Sequence, residues 1–312
     1  MNNRKTGLFL AAACLSLTLL TGCSAESTKN YKQAAQDLEN GNYEVALEEY
    51  EAAISAGVKP AQSYRGAGVA QLKLGNYDEA VTYFSNALDC DKVGKALKKD
   101  ILSYRAAAYL KLKEYEEAMA DCQALAESYN MDADLYFLTG ETALAMDSYE
   151  EASSNFEQAY GEDATYDRAL QIYGAYLDKD MEADGTRYLE AALSGNAKNA
   201  QDHCDRGRVY YYMDDYENAT AELKQAIDGD NTEALALLGM VYMDQGDSAN
   251  ARTMFQQYVS QAENGAKGFN GLALCDIEDG DYDSALSNIS SGIHVADAED
   301  MQSLLFNEIA VY

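Results

Sequence analysis

Apolar positions in this chain of 312 residues recur in short runs spaced by three, four and three. The clearest runs are Tyr43/Ala46/Tyr50/Ala53, Tyr77/Ala80/Phe84/Ala87 and Tyr149/Ala152/Phe156/Ala159; Tyr216/Ala219/Leu223/Ala226 and Tyr282/Ala285/Ile289 continue the series. That spacing sets the marked residues on one face of a helix. Alanine at the outer places lets a neighbouring helix come close, and the large residue between fills the gap. A second helical pattern lies upstream, clearest at Leu235, Leu238, Gly239 and Tyr242, with glycine recurring at Gly68, Gly140, Gly174 and Gly207. Glycine inside a helix costs stability, so close packing must offset it. Short turns separate the two patterns, at Asn40-Gly41-Asn42, Leu74-Gly75-Asn76, Gln245-Gly246-Asp247 and Asp279-Gly280-Asp281. Glycine there readily takes the left-handed conformation that ends a helix. The first alanines of the runs fall at 46, 80, 118, 152, 219, 251 and 285. A helical hairpin therefore repeats about every 34 residues, which predicts a binding surface before an active site.

This pattern resembles the tetratricopeptide repeat family, in which an aromatic, Leu-Gly, Tyr, then Ala, Phe, Ala and Pro mark each repeat. The resemblance is carried by Leu235-x-x-Leu238-Gly239-x-x-Tyr242, and in the second copy by Tyr64, Gly68, Gly75, Tyr77, Ala80, Phe84 and Ala87. The chain has no Trp, and its single proline is Pro60. The fifth copy, from Gly174 to Leu193, is degenerate, with Gly185 or Thr186 where alanine belongs, so a bend or altered packing is expected there. The resemblance implies an all-α, right-handed superhelical solenoid of about eight hairpins over 31–297, with a capping helix over 298–312. It is specific for fold and weak for function.

Residues 1–22 read as a signal peptide. Arg4 and Lys5 begin it, and Leu8 to Leu20 form an apolar stretch too short for a comfortable membrane span. It ends Leu20-Thr21-Gly22-Cys23, which resembles the bacterial lipoprotein signal. That resemblance implies a lipidated Cys23 with a short tether over 23–30, on the extracytoplasmic face of a bacterial cell membrane. An ordinary secretory signal with an incidental cysteine is the competing reading.

Without Arg4 and Lys5 the chain holds 21 basic and 53 acidic residues, a net charge near −32. Such charge opposes nucleic-acid binding and repels an anionic lipid surface, leaving membrane attachment to the lipid anchor alone. In the family the first helix of each repeat lines a concave groove. By that resemblance the groove is close to neutral, with Arg65, Lys73, Lys111, Arg168, Lys179, Arg208 and Lys267 among its members. Tyr211 and Tyr212, followed by Met240 and Met243, add an adaptable aromatic and thioether surface. With Phe137, Arg168 and Arg208 they would suit an acidic peptide or a glycan. Core packing is the equal alternative for the tyrosines. Lys92, Lys95, Lys98 and Lys99 read as a solvated helix extension or as a docking knob.

Catalytic chemistry is not indicated. The two histidines, His203 and His294, stand far apart in the array, and no H-E-x-x-H, G-x-S-x-G, phosphate loop or dinucleotide fingerprint occurs. Asp279 to Asp283 lacks the spacing of a calcium loop and reads as a helix cap. Cys90, Cys122, Cys204 and Cys275 show neither CxxC nor close pairing, so no metal knot or redox motif is expected. Cys90 and Cys122 are the pair that an oxidising compartment would join. The expectation is a non-catalytic protein without cofactor or metal: an adaptor or scaffold for cell-envelope machinery that binds membrane-proximal protein partners. The alternative is a receptor for an extended peptide or glycan in the groove.

Overall fold

The structure is a computed structural model that describes residues 29–296 and 298–311. The signal segment 1–22, Cys23 and the first part of the tether lie outside the described residues. The chain divides between Ala159 and Tyr160 into two compact units. The first holds α1 (29–39), α2 (Tyr43–Ser55), α3 (Pro60–Lys73), α4 (Tyr77–Leu88), α5 (Lys95–Leu112), α6 (Tyr115–Ser128), α7 (Ala133–Ala145) and most of α8 (Tyr149–Glu162). The second holds α9 (Tyr166–Leu177), α10 (Glu182–Leu193), α11 (Ala200–Tyr212), α12 (Tyr216–Asp228), α13 (Glu233–Asp244), α14 (Ser248–Gln261), α15 (Ala266–Asp279), α16 (Tyr282–Ile293) and α17 (Ala298–Val311). Odd-numbered helices begin hairpins and even-numbered ones complete them, giving eight hairpins followed by α17. The protein is all-α, and among the described residues no strand occurs.

One steric seat organises every hairpin. A buried residue on the first helix faces a large side chain sixteen positions later on the second. Gly68 receives Phe84, Gly140 receives Phe156, Gly207 receives Leu223 and Gly239 receives Phe255; a β-carbon on any of these glycines would stand 2.5–2.7 Å from its partner's side chain. Alanine serves in the other hairpins, where Ala34, Ala106 and Ala273 pair by the same spacing with Tyr50, Cys122 and Ile289, all buried. The third hairpin has only a cysteine as its large residue and carries buried Leu125 where the second and fourth have Ala87 and Ala159. The added volume at Leu125 offsets the deficit at Cys122, as close packing requires.

The fifth hairpin alters the seat. Sixteen residues before buried Leu189 stands Tyr173, not Gly174, and the accommodating residue is Gly185 of α10, whose absent β-carbon would lie 2.9 Å from the Tyr173 Cα. Gly174 has open space at its missing β-carbon. The expectation that Gly174 continues the glycine series is therefore corrected by one residue: Tyr173 stands at the seat, and glycine replaces the inward-facing alanine of the second helix at Gly185 to admit it.

Seven positions after the seat the backbone turns left-handed in all eight hairpins. Glycine occupies the place at Gly41, Gly75, Gly246 and Gly280, whereas Lys113, Asp147, Asp180 and Asp214 adopt φ of 63°, 58°, 56° and 55°. Asp215, Asp247 and Asp281 then cap the following helices by accepting from the amides of Asn218, Asn250 and Ser284. The Asp279–Asp283 stretch is thus a turn and cap. α5 begins at Lys95 and runs 18 residues, the longest of these helices. Its lysines are engaged locally, with Lys99 Nζ 2.5 Å from Asp132 and Lys95 Nζ 5.2 Å above the Tyr129 ring.

Alanine substitution should have opposite effects at the two kinds of glycine. Gly239→Ala drives a methyl into the Phe255 ring and is expected to destabilise by roughly 1–3 kcal/mol, since overpacking exceeds the helix-propensity gain. Gly174→Ala meets nothing and should stabilise by roughly 0.5–1 kcal/mol. Chemical denaturation midpoints measure both, and a shared sign would refute the seat. In the same assay Lys113→Gly should stabilise by about 0.5–1 kcal/mol through relief of its left-handed backbone.

Candidate functional site

The same index locates the stripe of the first helices that lines the clefts. Positions −6, −3, −2 and +1 from the seat lie on one helical face. In α11 these are Gln201, Cys204, Asp205 and Arg208; in α13 Glu233, Ala236, Leu237 and Met240; in α15 Lys267, Asn270, Gly271 and Leu274. All twelve line one cleft of about 590 Å³ in the second unit, joined by Tyr212, Phe255 and, from α17, Asp300 and Ser303. Leu237, Met240 and Leu274 supply apolar wall, and charged groups stand around them. A neighbouring cleft of about 410 Å³ takes the same positions of α9, Asp167, Leu170, Gln171 and Gly174, and shares Arg208 and Tyr212. In the first unit the stripes of α5 and α7 form a cleft of about 460 Å³ that includes Asp100, Tyr104, Phe137 and Glu141.

The candidate groove residues separate by this index. Arg208 lines both clefts of the second unit, and its Nη2 donates to Asp167 and, at 3.1 Å, to Asp205. Burial pushes the Asp205 carboxyl upward, against a hydrogen bond from Gln201 and the nearby Arg208 charge. Tyr212 is 48% exposed and lines both clefts, and Met240 lines the larger one. Phe137 is half-buried in the wall of the first-unit cleft, its ring centroid 5.7 Å from that of Phe156.

Others turn inward. Tyr211 packs on the core beside Ala219 and Leu223, and burial, followed by a hydrogen bond to Asp244, pushes its hydroxyl far up. Met243 meets the Cys275 thiol at 3.3 Å. Both sit four positions past the seat, one helical face away from the stripe. Arg168, five positions before it, is 6% exposed with Asp163 at 3.6 Å, so it presents no open cationic face. Arg65 is on the stripe position but grips Asp100 through Nε and Nη2 at 2.6 and 3.2 Å, over the Tyr104 ring. Lys267 holds Glu233 at 3.0 Å. The cations that suggested an acidic ligand are thus already neutralised by carboxylates, mostly on adjoining first helices. Sequence reading passed over Asp205, Leu237, Asn270 and Leu274 as site residues; the stripe spacing counted from the seat would have found them.

His203 is held by a carboxylate of the second helix of its hairpin. Its Nδ1 lies 2.5 Å from Glu222, which also accepts from Arg206 Nε at 2.8 Å. Burial pushes the Glu222 carboxyl upward, but hydrogen bonds from Arg206 and His203 outweigh it and hold the group below its ordinary value. Among the described residues no group of three or more His, Cys, Asp or Glu side chains is placed to hold a metal ion. None of the described helices is long and apolar enough to cross a membrane. Cys90, Cys122, Cys204 and Cys275 are free thiols.

The tetratricopeptide repeat model matches residues 31–95, 204–268 and 237–289, so tetratricopeptide repeats build parts of both units. The chain is similar to RNA polymerase II-associated protein 3 of Xenopus laevis, 27% identical over 203 residues, 59% of this chain and 30% of that protein. The human protein of that name is 26% identical over 180 residues, 52% of this chain and 26% of its own length. The chain spans at most about a third of the length of these curated relatives. Among solved structures, a tetratricopeptide repeat protein from Parabacteroides merdae is 18% identical with a TM-score of 0.48, over 80% of this chain and 98% of that one. MamA from Desulfovibrio magneticus is 19% identical with a TM-score of 0.45, over 54% and 93%.

Cys204 offers a chemical reporter of the larger cleft. Burial, followed by the Asp205 charge, pushes its thiol up to about 11. Only the thiolate reacts, so alkylation at pH 8 should be slow at Cys204 and faster at the more exposed Cys90. The Cys204 rate should rise with pH up to about 11. Peptide mapping after timed iodoacetamide treatment reads both rates; equal labelling at pH 8 would contradict the burial.

Proposed function

We propose that this chain is a lipid-anchored adaptor on the extracytoplasmic face of a bacterial cell membrane, where its repeats gather protein partners of the cell envelope. The carrying observation is the cleft of about 590 Å³ built from one repeated stripe of three successive first helices. Such a surface takes an extended segment: side chains of the partner enter between Leu237, Met240 and Leu274, while polar groups at the rim fix its register. Protein binding is the general role of this repeat class. The membrane part of the reading is supported by the Leu20-Thr21-Gly22-Cys23 sequence behind an apolar stretch. A diacylglyceryl group on Cys23 anchors stably, since each buried CH₂ contributes about 0.8 kcal/mol. The five residues from Ser24 to Thr28 that precede α1 reach about 17 Å when extended, which keeps the repeats near the bilayer and favours a membrane-proximal partner.

A second reading, a receptor for a free peptide or glycan, is favoured by Tyr212, whose half-exposed ring lies between the two clefts of the second unit. An aromatic face of that kind packs on an apolar side chain or a sugar ring. Because Arg208 and Lys267 are already paired, a strongly acidic ligand would have to break those pairs.

Site-directed photo-crosslinking decides between the two. With a photoreactive residue at Leu237 in cells, the adaptor reading expects one abundant membrane-proximal protein to be captured. Leu274→Asp should abolish the capture, and Cys23→Ala should release the chain from the membrane and lower the yield. Efficient photoactivation with no protein captured would shift the function to a small ligand. Unchanged membrane association of Cys23→Ala would remove the anchor.

A further inference from the structure

The side of α17 away from the cleft exposes Leu305 and Ile309. Leu304 fixes how this helix lies: it is fully buried, against Gly292 of α16 and in one cluster with Ala266, Ala273 and Ile289. Asn307 adds a bond to Asn270 of α15 at 2.7 Å. Leu304 therefore holds on α17 the place that Gly271 holds on α15, the side facing the preceding second helix, where Gly271 meets Phe255 of α14.

The next face of the two helices differs sharply. One and five residues beyond Gly271, α15 carries Leu272 and Asp276, 8% and 3% exposed. Asp276 is covered from α16 by Asn288 at 2.7 Å and from α14 by Arg252. One and five residues beyond Leu304, α17 carries Leu305 and Ile309, 44% and 75% exposed. Two large apolar side chains one helical turn apart thus stand open where α15 is covered by α14 and α16 together. Neither lines the cleft. Among the described residues, nothing occupies the seat.

The rest of the unit shows what fits such a seat. Each filled one holds a helix whose inner stripe is a small residue, a large apolar residue four later and usually another small one three further on, as in Ala219/Leu223/Ala226. Charge selects among the possible sources of that helix. Residues 262–312 contain ten acidic side chains against one lysine, Lys267. A second copy would bring like charge to like charge, whereas a basic helix is drawn in.

We propose that Leu305 and Ile309 of α17 dock an amphipathic helix of another protein, one with an alanine–large apolar–alanine stripe and lysine or arginine on its outer faces. Binding is helix-in-groove, with the partner taking beside α17 the place that α16 takes beside α15. This surface is independent of the cleft reading, and either can fail alone.

The probe is a labelled, lysine-rich helical peptide bearing Ala, Leu and Ala at that spacing, titrated into the purified protein by fluorescence anisotropy. A control peptide of equal charge has serine along the stripe. The stripe peptide should bind, and the control should bind at least about tenfold more weakly, since each tenfold corresponds to the loss of a modest apolar contact. The double variant Leu305→Glu/Ile309→Glu should weaken the stripe peptide by a similar factor while keeping the thermal midpoint, because both residues are exposed. Equal binding of the two peptides, or indifference to the double variant, overturns the proposal. Sedimentation showing a dimer that the double variant dissolves would assign the seat to a second copy and overturn it equally.

Discussion

The structure depends on one steric fit, a small residue on the first helix of seven hairpins receiving a large side chain from the second. Interaxial distance between helices follows the size of the residues at the crossing, so this pair sets how closely the two helices lie. The other features are counted from it. The left-handed turn comes seven residues later because the first helix must end there for the second to return at the right height. The inward-facing alanine comes twelve later, one helical turn before the large residue. The cleft-lining stripe is what remains of the first helix after the seat, the core face and the face toward the preceding hairpin are assigned.

Much of this was legible in the sequence because the seat recurs in recognisable residue types. The eight hairpins, their turns at Gly41, Gly75, Gly246 and Gly280, and the degenerate fifth copy all follow from the spacing of alanine, glycine and aromatic residues. The fifth hairpin shows the limit. Gly174 looks like the missing glycine because it stands one place from the register, and only the position of buried Leu189 and of Gly185 shows that Tyr173 holds the seat. Geometry can be satisfied by a larger residue at the seat when the facing alanine is trimmed to glycine, and a pattern of residue types on one helix does not reveal the compensation. The turns at Lys113, Asp147, Asp180 and Asp214 were hidden for a related reason: the surrounding hairpin imposes a left-handed backbone on residues that do not announce it.

The candidate site was less legible, and the cause is electrostatic as much as geometric. Arg65, Arg208 and Lys267 stand on the groove side as a repeat register suggests, but adjoining first helices carry Asp100, Asp167 and Glu233 within reach, and Asp205 of its own helix adds to the hold on Arg208. Pairs formed between neighbouring repeats are invisible to a reading that counts cations along one helix. They also give the groove a role in stability: each bidentate or half-buried pair ties one hairpin to the next, in a chain whose overall charge tends to drive its segments apart. The placement of Tyr211 and Met243 on the core side follows from a single step in the helical wheel, the distance between a groove residue and a packing residue.

The cleft of about 590 Å³ lies where the seat meets the stripe. Phe255 fills the hollow at Gly239 within its own hairpin, and the same Cδ1–Cε1 edge of the ring abuts Gly271 of the next first helix, where a β-carbon would stand 2.4 Å from it. A glycine on each helix thus lets α13 and α15 close on one phenylalanine, and that ring becomes part of the cleft wall. With Ala236 and Gly271 on the stripe, the wall recedes; the corresponding places in the first unit carry Phe137 and Tyr104, and its cleft is smaller. The depth available to a ligand is therefore set by the residues that allow the helices to pack. Cleft shape and stack stability cannot be altered independently at Phe255, nor at Leu237 and Met240, which line the cleft and also pack against the core clusters beneath it.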